Sequence, residues 1–507
     1  MGGLVAALLL GAQGFAVTLL EKAGRPGGKL REVAVDGVGI DSGPTVLTMR
    51  WVFETIFAAA GTRLEDHLTL TAAEILARHA WQDGSTFDLH ADPDRTAAAV
   101  ERLAGKAEAR GFCAFRRRIA EVFDTLNAGF IEHPAPSPMG LTRALGIGGL
   151  GALSRIEPFT PLASVVARYF KDPRLRQLFG RYATYCGASP FLAPGPLMLI
   201  AHVEQLGVWL VDGGLIRLAE VLASLSRQHG VSLRTGADVA SILFRDGRAA
   251  GVRLASGETL SADAVVFNGD PMALASGRLG PEAIAAVPAW GIRDRSLSAL
   301  TWSIRGKAAG FPLARHTVFF SRDYPREFDE ILRREKLPED PTIYVCAQDR
   351  DAAGSELPAG PERLFLLVNA PARADTHPLE EAEVAACEKR VMARLARSGL
   401  TISSADRIRT GPAQFAALFP ATGGALYGRS SHGWASSFQR PGARTKIRGL
   451  YLAGGGVHPG PGMPMAALSG RHAASAVMAD LASTGGSRPA DMPGGISMRS
   501  AMTDATP

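Results

Sequence analysis

The segment that decides how this chain is interpreted is Gly449-Leu-Tyr-Leu-Ala-Gly-Gly-Gly-Val-His-Pro-Gly-Pro-Gly-Met-Pro-Met-Ala-Ala-Leu-Ser-Gly470. A short apolar strand opens into a cluster of glycines, and the pattern predicts that a helix begins near 463–465. The seven glycines of this window exceed what a turn requires. A helix N-terminus at this point can stabilise an anionic phosphate or a reduced isoalloxazine through its dipole.

The first residues of the chain show a related pattern. A helix is predicted over roughly 3–13 with Gly14 as its C-terminal cap, followed by a strand over 15–20 that ends at Glu21. A dinucleotide-binding fingerprint consists of a strand, a Gly-x-Gly-x-x-Gly turn, a helix and a second strand that ends in an acid. Gly3 matches the third glycine of that fingerprint. Because the strand and the two glycines before it are absent, we expect a start codon assigned too late or a truncated gene.

Two stretches without charge have an alternative interpretation as membrane segments. Residues 1–20 carry no charge, but no basic residue precedes the apolar run, and Gly11, Gln13 and Gly14 interrupt it. A helix followed by a strand is therefore favoured over a signal peptide. The second stretch, 182–203, contains three prolines, which argue against a spanning helix. It is interpreted as the apolar interior of a domain or as a segment at a bilayer interface.

The segment Lys22-Ala-Gly-Arg-Pro-Gly-Gly-Lys29 follows Glu21 directly. Its two successive glycines let backbone amides approach a diphosphate, and Arg25 and Lys29 supply positive charge. The alternative for this segment alone is a plain surface turn. Together with the other two glycine segments it is more specific, and the three predict a nucleotide-binding α/β protein.

Length and composition set limits on the other classes. The chain has 507 residues, 46% of them hydrophobic and 21% charged, which is typical of a globular protein and excludes disorder and collagen-like repeats. The net charge is +6, most of the basic residues are arginines, and no block of five or six like charges occurs, which argues against nucleic-acid binding. An anionic membrane surface stays open as a partner. The four cysteines form no pair or cluster with zinc spacing, so reduced thiols are favoured over disulfides and no metal site is predicted.

The pattern along the chain predicts two domains that are each built from discontinuous segments. Residues 72–205 read as mainly helical, whereas 206–284 return to alternating strands and helices. The predicted organisation is a nucleotide-binding domain from 1–71, 206–284 and 411–482, a helical substrate or membrane-facing region over 72–205, a substrate domain over 285–410, and a disordered tail over 483–507.

These motifs resemble those of FAD-dependent carotenoid desaturases of the bacterial phytoene-desaturase type. The resemblance extends over about residues 1–482, and it includes Val239 after a Gly-Ala-Asp turn and the C-terminal Gly-Gly-x-x-His-Pro-Gly-x-Gly-x-Pro segment. Four stretches look most like the branch of hydroxyneurosporene or methoxyneurosporene dehydrogenases (1-hydroxycarotenoid 3,4-desaturases). They are 43–53, 172–185, 430–434 and 463–465.

The resemblance implies a two-lobed flavoprotein. Its fold would be an α/β two-dinucleotide-binding (Rossmann-like) FAD domain whose first strand is missing, combined with an α+β substrate domain. Gly3, Glu21 and Val239 would hold the adenosine half, while Lys29, Thr45 and Asn268 would lie near the diphosphate and the flavin. The complete set of implied cofactor-binding residues is Gly2, Gly3, Glu21, Lys22, Gly28, Lys29, Thr45, Val239, Asn268, Gly454, Gly455, Gly462, Met463 and Met465.

The implied reaction is the desaturation of an acyclic, 1-hydroxylated carotenoid in carotenoid biosynthesis, with the flavin as hydride acceptor. A long hydrocarbon substrate needs an apolar tunnel, and its walls are predicted from 139–153 and 182–203. The mouth of the tunnel would face the bilayer, which makes this a peripheral protein on the cytoplasmic side of a bacterial inner membrane. The candidate catalytic residues are His458, Arg181 and Tyr185, each with a structural role as the alternative.

Two other functions stay open at this point. One is a phytoene desaturase or another FAD-dependent oxidoreductase such as an amine oxidase. No cysteine follows Cys387, which argues against a covalently attached flavin near the C-terminal glycines but not against a non-covalent one. The other is a non-catalytic prenyl-lipid or protein escort on a related fold, which the C-terminal flavin segment opposes.

Overall fold

The computed structural model describes residues 1–137, 139–140, 156–354, 358–403 and 406–483. The predicted tunnel wall over 139–153 and the predicted tail over 483–507 therefore lie almost entirely outside the described residues. The α-helices are α1 Gly2–Ala12, α2 Arg50–Ala59, α3 Pro93–Ala104, α4 Lys106–Leu126, α5 Leu162–Tyr169, α6 Pro173–Gly180, α7 Leu199–Gln205, α8 Ile216–Gln228, α9 Met272–Ala275, α10 Tyr324–Leu332, α11 Glu381–Arg397, α12 Pro412–Leu418 and α13 Met463–Ser483.

The strands fall into one large sheet and several small ones. They are β1 Thr18–Glu21, β2 Glu32–Val35, β3 Val38–Asp41, β4 Leu70–Ala72, β5 Ile75–Ala80, β6 Thr86–His90, β7 Trp209–Val211, β8 Ser232–Thr235, β9 Val239–Arg245, β10 Arg248–Leu254, β11 Thr259–Ser261, β12 Val265–Phe267, β13 Ser298–Gly310, β14 His316–Phe319, β15 Ile343–Ala347, β16 Glu362–Ala370, β17 Leu400–Ser403, β18 Arg407–Thr410 and β19 Leu450–Leu452.

The nucleotide-binding part is built on two parallel strand pairs. β1 pairs with β8, and β12 pairs with β19, so strands more than 180 residues apart in the sequence lie side by side. Within the described residues the two pairs form separate sheets. Helix α1 packs against α8 and α13 and contacts both β1 and β12. This arrangement confirms the predicted α/β, Rossmann-like class.

Helix α1 is buried on all sides. Every residue from Gly2 to Gly11 is buried, which explains why the chain begins with an uncharged stretch. A helix that is apolar all round belongs to the interior of a large domain or to a membrane. Here the protein itself surrounds it. Across the described ranges, no helix has both the length and the apolar character required to cross a bilayer.

The part of the chain that is predicted to hold the substrate is organised around an eight-stranded sheet. Seven of its strands follow the order β17-β13-β16-β15-β14-β5-β6. The eighth strand, β18, also pairs with β13, at residues 301–304, whereas β17 pairs with residues 307–310. Neighbours along this order run antiparallel except for β14 and β5, which are parallel. Because β5 and β6 are strands of this sheet, the prediction that 72–205 is helical is wrong at its start. Their alternating apolar residues, separated by the turn Gln-Asp-Gly-Ser, are typical of a hairpin.

Three helices in the part predicted to hold the substrate begin with the same local signal. Asp92 precedes Pro93, and its carboxylate accepts hydrogen bonds from the backbone N–H groups of Asp94 and Arg95 at 2.8 and 3.2 Å. Asp172 and Asp323 cap α6 and α10 in the same way, each with a proline in the first turn. Gly105, with a positive φ of 92°, separates α3 from α4.

We expect Gly470→Ala to destabilise the packing of α1 against α13. A Cβ atom at Gly470 would lie 2.3 Å from the carbonyl oxygen of Gly2, so the two helices would have to move apart. Overpacking of this kind costs about 1–3 kcal/mol. We expect the Tm to fall by about 1–3 °C in a thermal melt. Ser475→Ala, at an exposed position of α13, is the matched control, and an equal Tm for both variants would contradict the prediction.

Candidate functional site

A cavity of about 2140 Å³ lies between the nucleotide-binding part and the large sheet. Typical ligand pockets measure roughly 300–1000 Å³, so this one has room for more than a single small molecule. The fourteen residues predicted to bind the cofactor all line it, as do Arg181 and Tyr185. The sequence motifs, which lie up to 463 positions apart, therefore meet at one site.

Two helix N-termini meet at the glycine-rich end of the cavity. Helix α1 begins at Gly2 and α13 begins at Met463, and both residues line the cavity. A Cβ atom at Gly2 would lie 2.7 Å from the backbone nitrogen of Gly454 and 2.8 Å from Oδ1 of Asn268. Gly454 and Gly462 have φ values of 115° and 116°, which favour glycine. Because these positions have no side chains, a ligand has room next to the N-termini of α1 and α13, where both helix dipoles are positive.

A group of buried charges lies next to these glycines. The Nζ of Lys29 donates to the carbonyl oxygen of Leu426 at 2.6 Å, and burial lowers the pKa of this lysine, while the nearby Asp270 acts in the opposite direction. Burial likewise raises the pKa of Asp270. Arg440 is buried and donates to the carbonyl oxygens of Tyr427 and Arg429 at 3.1 and 2.6 Å.

Lys29 and Arg440 together outnumber the single carboxyl of Asp270, so this end of the cavity favours an anionic ligand. Sequence reasoning identified Lys29 but missed both Asp270 and Arg440. Asp270 follows Asn268 by two positions at the end of β12, which is a signal that could have been used. No comparable sequence signal surrounds Arg440.

The predicted adenosine end is more exposed. The backbone N–H of Ala23 donates to Oε1 of Glu21 at 2.9 Å, and Lys22 lies 3.8 Å from a carboxylate oxygen of Asp238. Arg25, which the sequence suggested as a source of charge at the diphosphate, is not part of the cavity. It pairs with Glu32 and Glu220 at 2.7 Å each, because the turn directs it towards α8 and β2. That suggestion is wrong.

The opposite part of the cavity has apolar walls with a few polar groups. Residues 182–203 contribute to these walls as predicted, together with residues from α4 and the large sheet. The hydroxyl groups of Thr45 and Tyr344 are 2.7 Å apart, and the same Tyr344 oxygen lies 2.7 Å from Nδ1 of His316. Burial lowers the pKa of His316 to about 3, so its ring is neutral. The apolar wall residues are Leu126, Phe130, Ile131, Pro196, Leu197, Leu199, Ile200, Val203, Val318, Phe365 and Leu367.

Of the three candidate catalytic residues, His458 lies outside the cavity. Its Nε2 is 2.9 Å from the carbonyl oxygen of His133, and its ring packs edge-on against Phe130 with centroids 5.1 Å apart. Burial lowers the pKa of His458 to about 4. The geometry therefore favours the structural alternative for His458, because the segment after Gly456 turns its side chain away from the cavity.

Comparison with known proteins agrees with this geometry. Residues 1–478 match the family model for flavin containing amine oxidoreductases. Among solved structures, an oxidoreductase from Methanosarcina mazei (TM-score 0.56, 15% identity, 94% of this chain and 98% of that one) and putrescine oxidase bound to putrescine (TM-score 0.57, 14% identity, 94% and 96%) share the fold. The family and the fold define the class of the protein, a flavin-dependent oxidoreductase.

Curated relatives narrow the class. The chain is 51% identical over 507 residues to a hydroxyneurosporene desaturase of Rubrivivax gelatinosus, covering 99% of this chain and 96% of that one. It is 47% identical over 488 residues to the protein of that name from Cereibacter sphaeroides, covering 95% and 97%. The chain therefore belongs to the flavin containing amine oxidoreductase family, in the group of the hydroxyneurosporene desaturases.

FAD is the cofactor of this class, and the glycine-rich end of the cavity fits it. Because Gly2 and Gly454 have no side chains, the cofactor can approach the backbone closely. The positive ends of two helices and the excess of buried cations stabilise the negative charge of phosphates and of a reduced flavin.

We expect Lys29→Met to weaken FAD binding. Methionine has a similar length but removes the buried charge, and a charge-assisted hydrogen bond is worth about 1.5–3 kcal/mol, so the Kd for FAD should rise by roughly tenfold or more. The Kd is measured by titrating the flavin-free protein with FAD while the flavin fluorescence is monitored. Lys446→Met, at an exposed position, is the control. A lower Tm with an unchanged Kd would assign Lys29 a structural role instead.

Proposed function

We propose that this chain desaturates an acyclic, 1-hydroxylated carotenoid with FAD as the hydride acceptor. FAD-dependent carotenoid desaturation follows from the relatives that share up to 51% of its residues over nearly the whole length. The observation that carries the proposal is that a flavin-type glycine segment and a long apolar wall face one continuous cavity. A polyene can thus lie beside the flavin without contact with water.

We assign the cofactor-binding residues by their places in the cavity. Gly3, Glu21 and Val239 would bind the adenosine half, and Lys29 and Asn268 would lie at the diphosphate. When bound there, FAD supplies the hydride acceptor. The remaining positions of this assignment are Gly2, Lys22, Gly28, Thr45, Gly454, Gly455, Gly462, Met463 and Met465.

The protein's own side chains would orient the substrate rather than act as a strong base. His316 is neutral, and burial raises the pKa of Tyr185, whose hydroxyl donates to a carboxylate oxygen of Glu204 at 2.6 Å. Arg181 carries a charge and cannot accept a proton. Loss of an allylic hydride leaves a stabilised cation that releases its proton readily, so a weak acceptor suffices. We therefore assign Arg181 and Tyr185 to binding.

The activity test uses the FAD-loaded protein and carotenoids in liposomes under anaerobic conditions. We expect a 1-hydroxylated acyclic carotenoid to bleach the flavin absorbance while the carotenoid absorption moves to longer wavelength, because the conjugated system grows. A primary amine serves as the comparison substrate. Bleaching by the amine alone would favour an amine oxidase, and a stable flavoprotein that is bleached by neither compound would favour the escort alternative.

We propose in addition that the protein docks on the cytoplasmic face of a bacterial inner membrane. Two exposed aromatic side chains and a neighbouring leucine form a surface patch, which we call the aromatic patch. Its residues are Phe159, Leu192 and Trp434, with 75%, 50% and 51% of their surfaces exposed. The rings of Phe159 and Trp434 are 5.3 Å apart, and the backbone N–H of Gly433 donates to the carbonyl oxygen of Leu192 at 2.9 Å. Such side chains suit a bilayer interface.

The position of the aromatic patch supports this proposal. Pro161 and Pro194 form a backbone bridge next to the patch, and Pro196 and Leu197, two and three residues further on, line the cavity. A substrate dissolved in the bilayer would therefore enter close to its binding site. The net charge of +6 favours an anionic lipid surface.

We expect the double variant Phe159→Ser, Trp434→Ser to lose binding to vesicles that contain anionic lipid. Burial of each aromatic side chain contributes about 1.5–3 kcal/mol, so the partition coefficient should fall at least about tenfold. Vesicle flotation measures the bound fraction. The double variant Ile284→Ser, Ile408→Ser changes two exposed apolar residues elsewhere and should bind as the wild type does. Equal binding of both variants would refute docking through this patch.

A further inference from the structure

Arg181 is a cation on the wall of an apolar cavity, and most of its hydrogen-bonding capacity is unused. Only 8% of the residue is exposed to solvent. Its Nη2 donates to the hydroxyl oxygen of Tyr185 at 3.3 Å, whereas its Nε is buried and has no partner among the described residues. A guanidinium has five N–H donors. This side chain therefore retains donors on the cavity lining that an acceptor oxygen of a ligand can satisfy.

The neighbours of Arg181 hold it in place but do not neutralise it directly. The hydroxyl groups of Tyr182 and Tyr185 each donate to one carboxylate oxygen of Glu204, with Tyr185 at 2.6 Å. The guanidinium carbon of Arg181 lies 5.2 Å from the ring centre of Tyr185 and 5.9 Å from that of Tyr182. Glu204 is almost fully buried. The two phenols therefore occupy the carboxylate, and the guanidinium stays available on the cavity side.

The protonation state of this arginine is fixed. Burial opposes its charge, but Tyr185 and Glu204 more than compensate, so the pKa of Arg181 is raised above its ordinary value. Arg181 is thus a permanent donor. A buried donor without an acceptor costs about 1–3 kcal/mol, and more when it is charged. The ligand that relieves this cost must bring an acceptor oxygen into an otherwise hydrocarbon-lined space.

We propose that Arg181, oriented by Tyr185 and Glu204, binds the oxygen of the substrate's terminal hydroxyl group and thereby selects hydroxylated over unsubstituted carotenoids. This inference rests on the proposed function, which supplies a long hydrocarbon with a single hydroxyl. An unsubstituted end brings no acceptor, and it would leave the buried guanidinium unpaired. A site built to hydrogen-bond a hydroxyl group rejects the analogue that lacks it for this reason.

The test compares two carotenoids of equal conjugated length, one with a terminal tertiary hydroxyl and one without. For the FAD-loaded wild type in liposomes we expect a higher kcat/KM with the hydroxylated compound. Arg181→Leu should lower kcat/KM for that compound by roughly 10- to 100-fold, as the loss of a charge-assisted hydrogen bond predicts. The value for the unsubstituted compound should stay within about twofold. Arg333→Leu, at an exposed position after α10, is the control.

A second readout separates binding from turnover. Protein whose flavin has been reduced with dithionite cannot accept a hydride, so the Kd of each carotenoid can be measured by quenching of tryptophan fluorescence. We expect Arg181→Leu to raise the Kd of the hydroxylated compound selectively. Arg181→Lys keeps the charge with a different donor geometry and should retain part of the preference. If Arg181→Leu does not fold, as judged by flavin content and Tm, Arg181→Lys and Tyr185→Phe decide the question.

The outcomes distinguish the two proposals. A loss of the preference in Arg181→Leu, or a reduced preference in both milder variants, supports recognition of the hydroxyl group. An equal loss for both carotenoids, or an unchanged preference, overturns it. A wild type that desaturates both compounds equally well overturns the role of Arg181 while the desaturase function stands. A wild type that desaturates neither compound refutes the proposed function itself.

Discussion

Helix α1 can lie against helix α13 only because Gly470 has no side chain. The carbonyl oxygen of Gly2 occupies the space that a Cβ atom would take, and this contact brings the first turns of both helices to the same end of the cavity. Asn268, directly after β12, lies against Gly2 of α1 and against Gly454. The glycine-rich end of the site therefore depends on one backbone-to-backbone contact between residues that are 468 positions apart.

The cavity combines apolar walls with charged groups in two places. Lys29, Asp270 and Arg440 lie beside the glycines, and Arg181 with Glu204 lies among apolar walls. Burying a charge is costly unless hydrogen-bond partners are present. In both places the cations have more N–H donors than they have acceptors among the described residues. The distribution matches two ligands with different needs. One carries negative charge, and the other is a hydrocarbon with one polar group.

The sequence allows the cofactor site to be predicted better than the rest of the cavity. Gly454, Gly462 and Lys29 lie in segments whose local spacing already implies a phosphate-binding backbone, and the structure places them together. Tyr344 belongs to β15, and only the strand order of the large sheet brings it next to Thr45. His458 lies inside the strongest motif, yet it faces away from the cavity, because a motif fixes the backbone path and not the direction of every side chain.

The meeting of the two chain ends has a consequence for biogenesis. Ribosomes add about 5–20 residues per second, so strand β5 leaves the ribosome roughly ten seconds or more before β14, with which it pairs. Helix α13 follows later still, and without it α1 lacks the helix against which it packs most extensively. The site thus forms only after α13 has left the ribosome. Until then, the apolar faces of these strands and helices lack their packing partners, which favours aggregation.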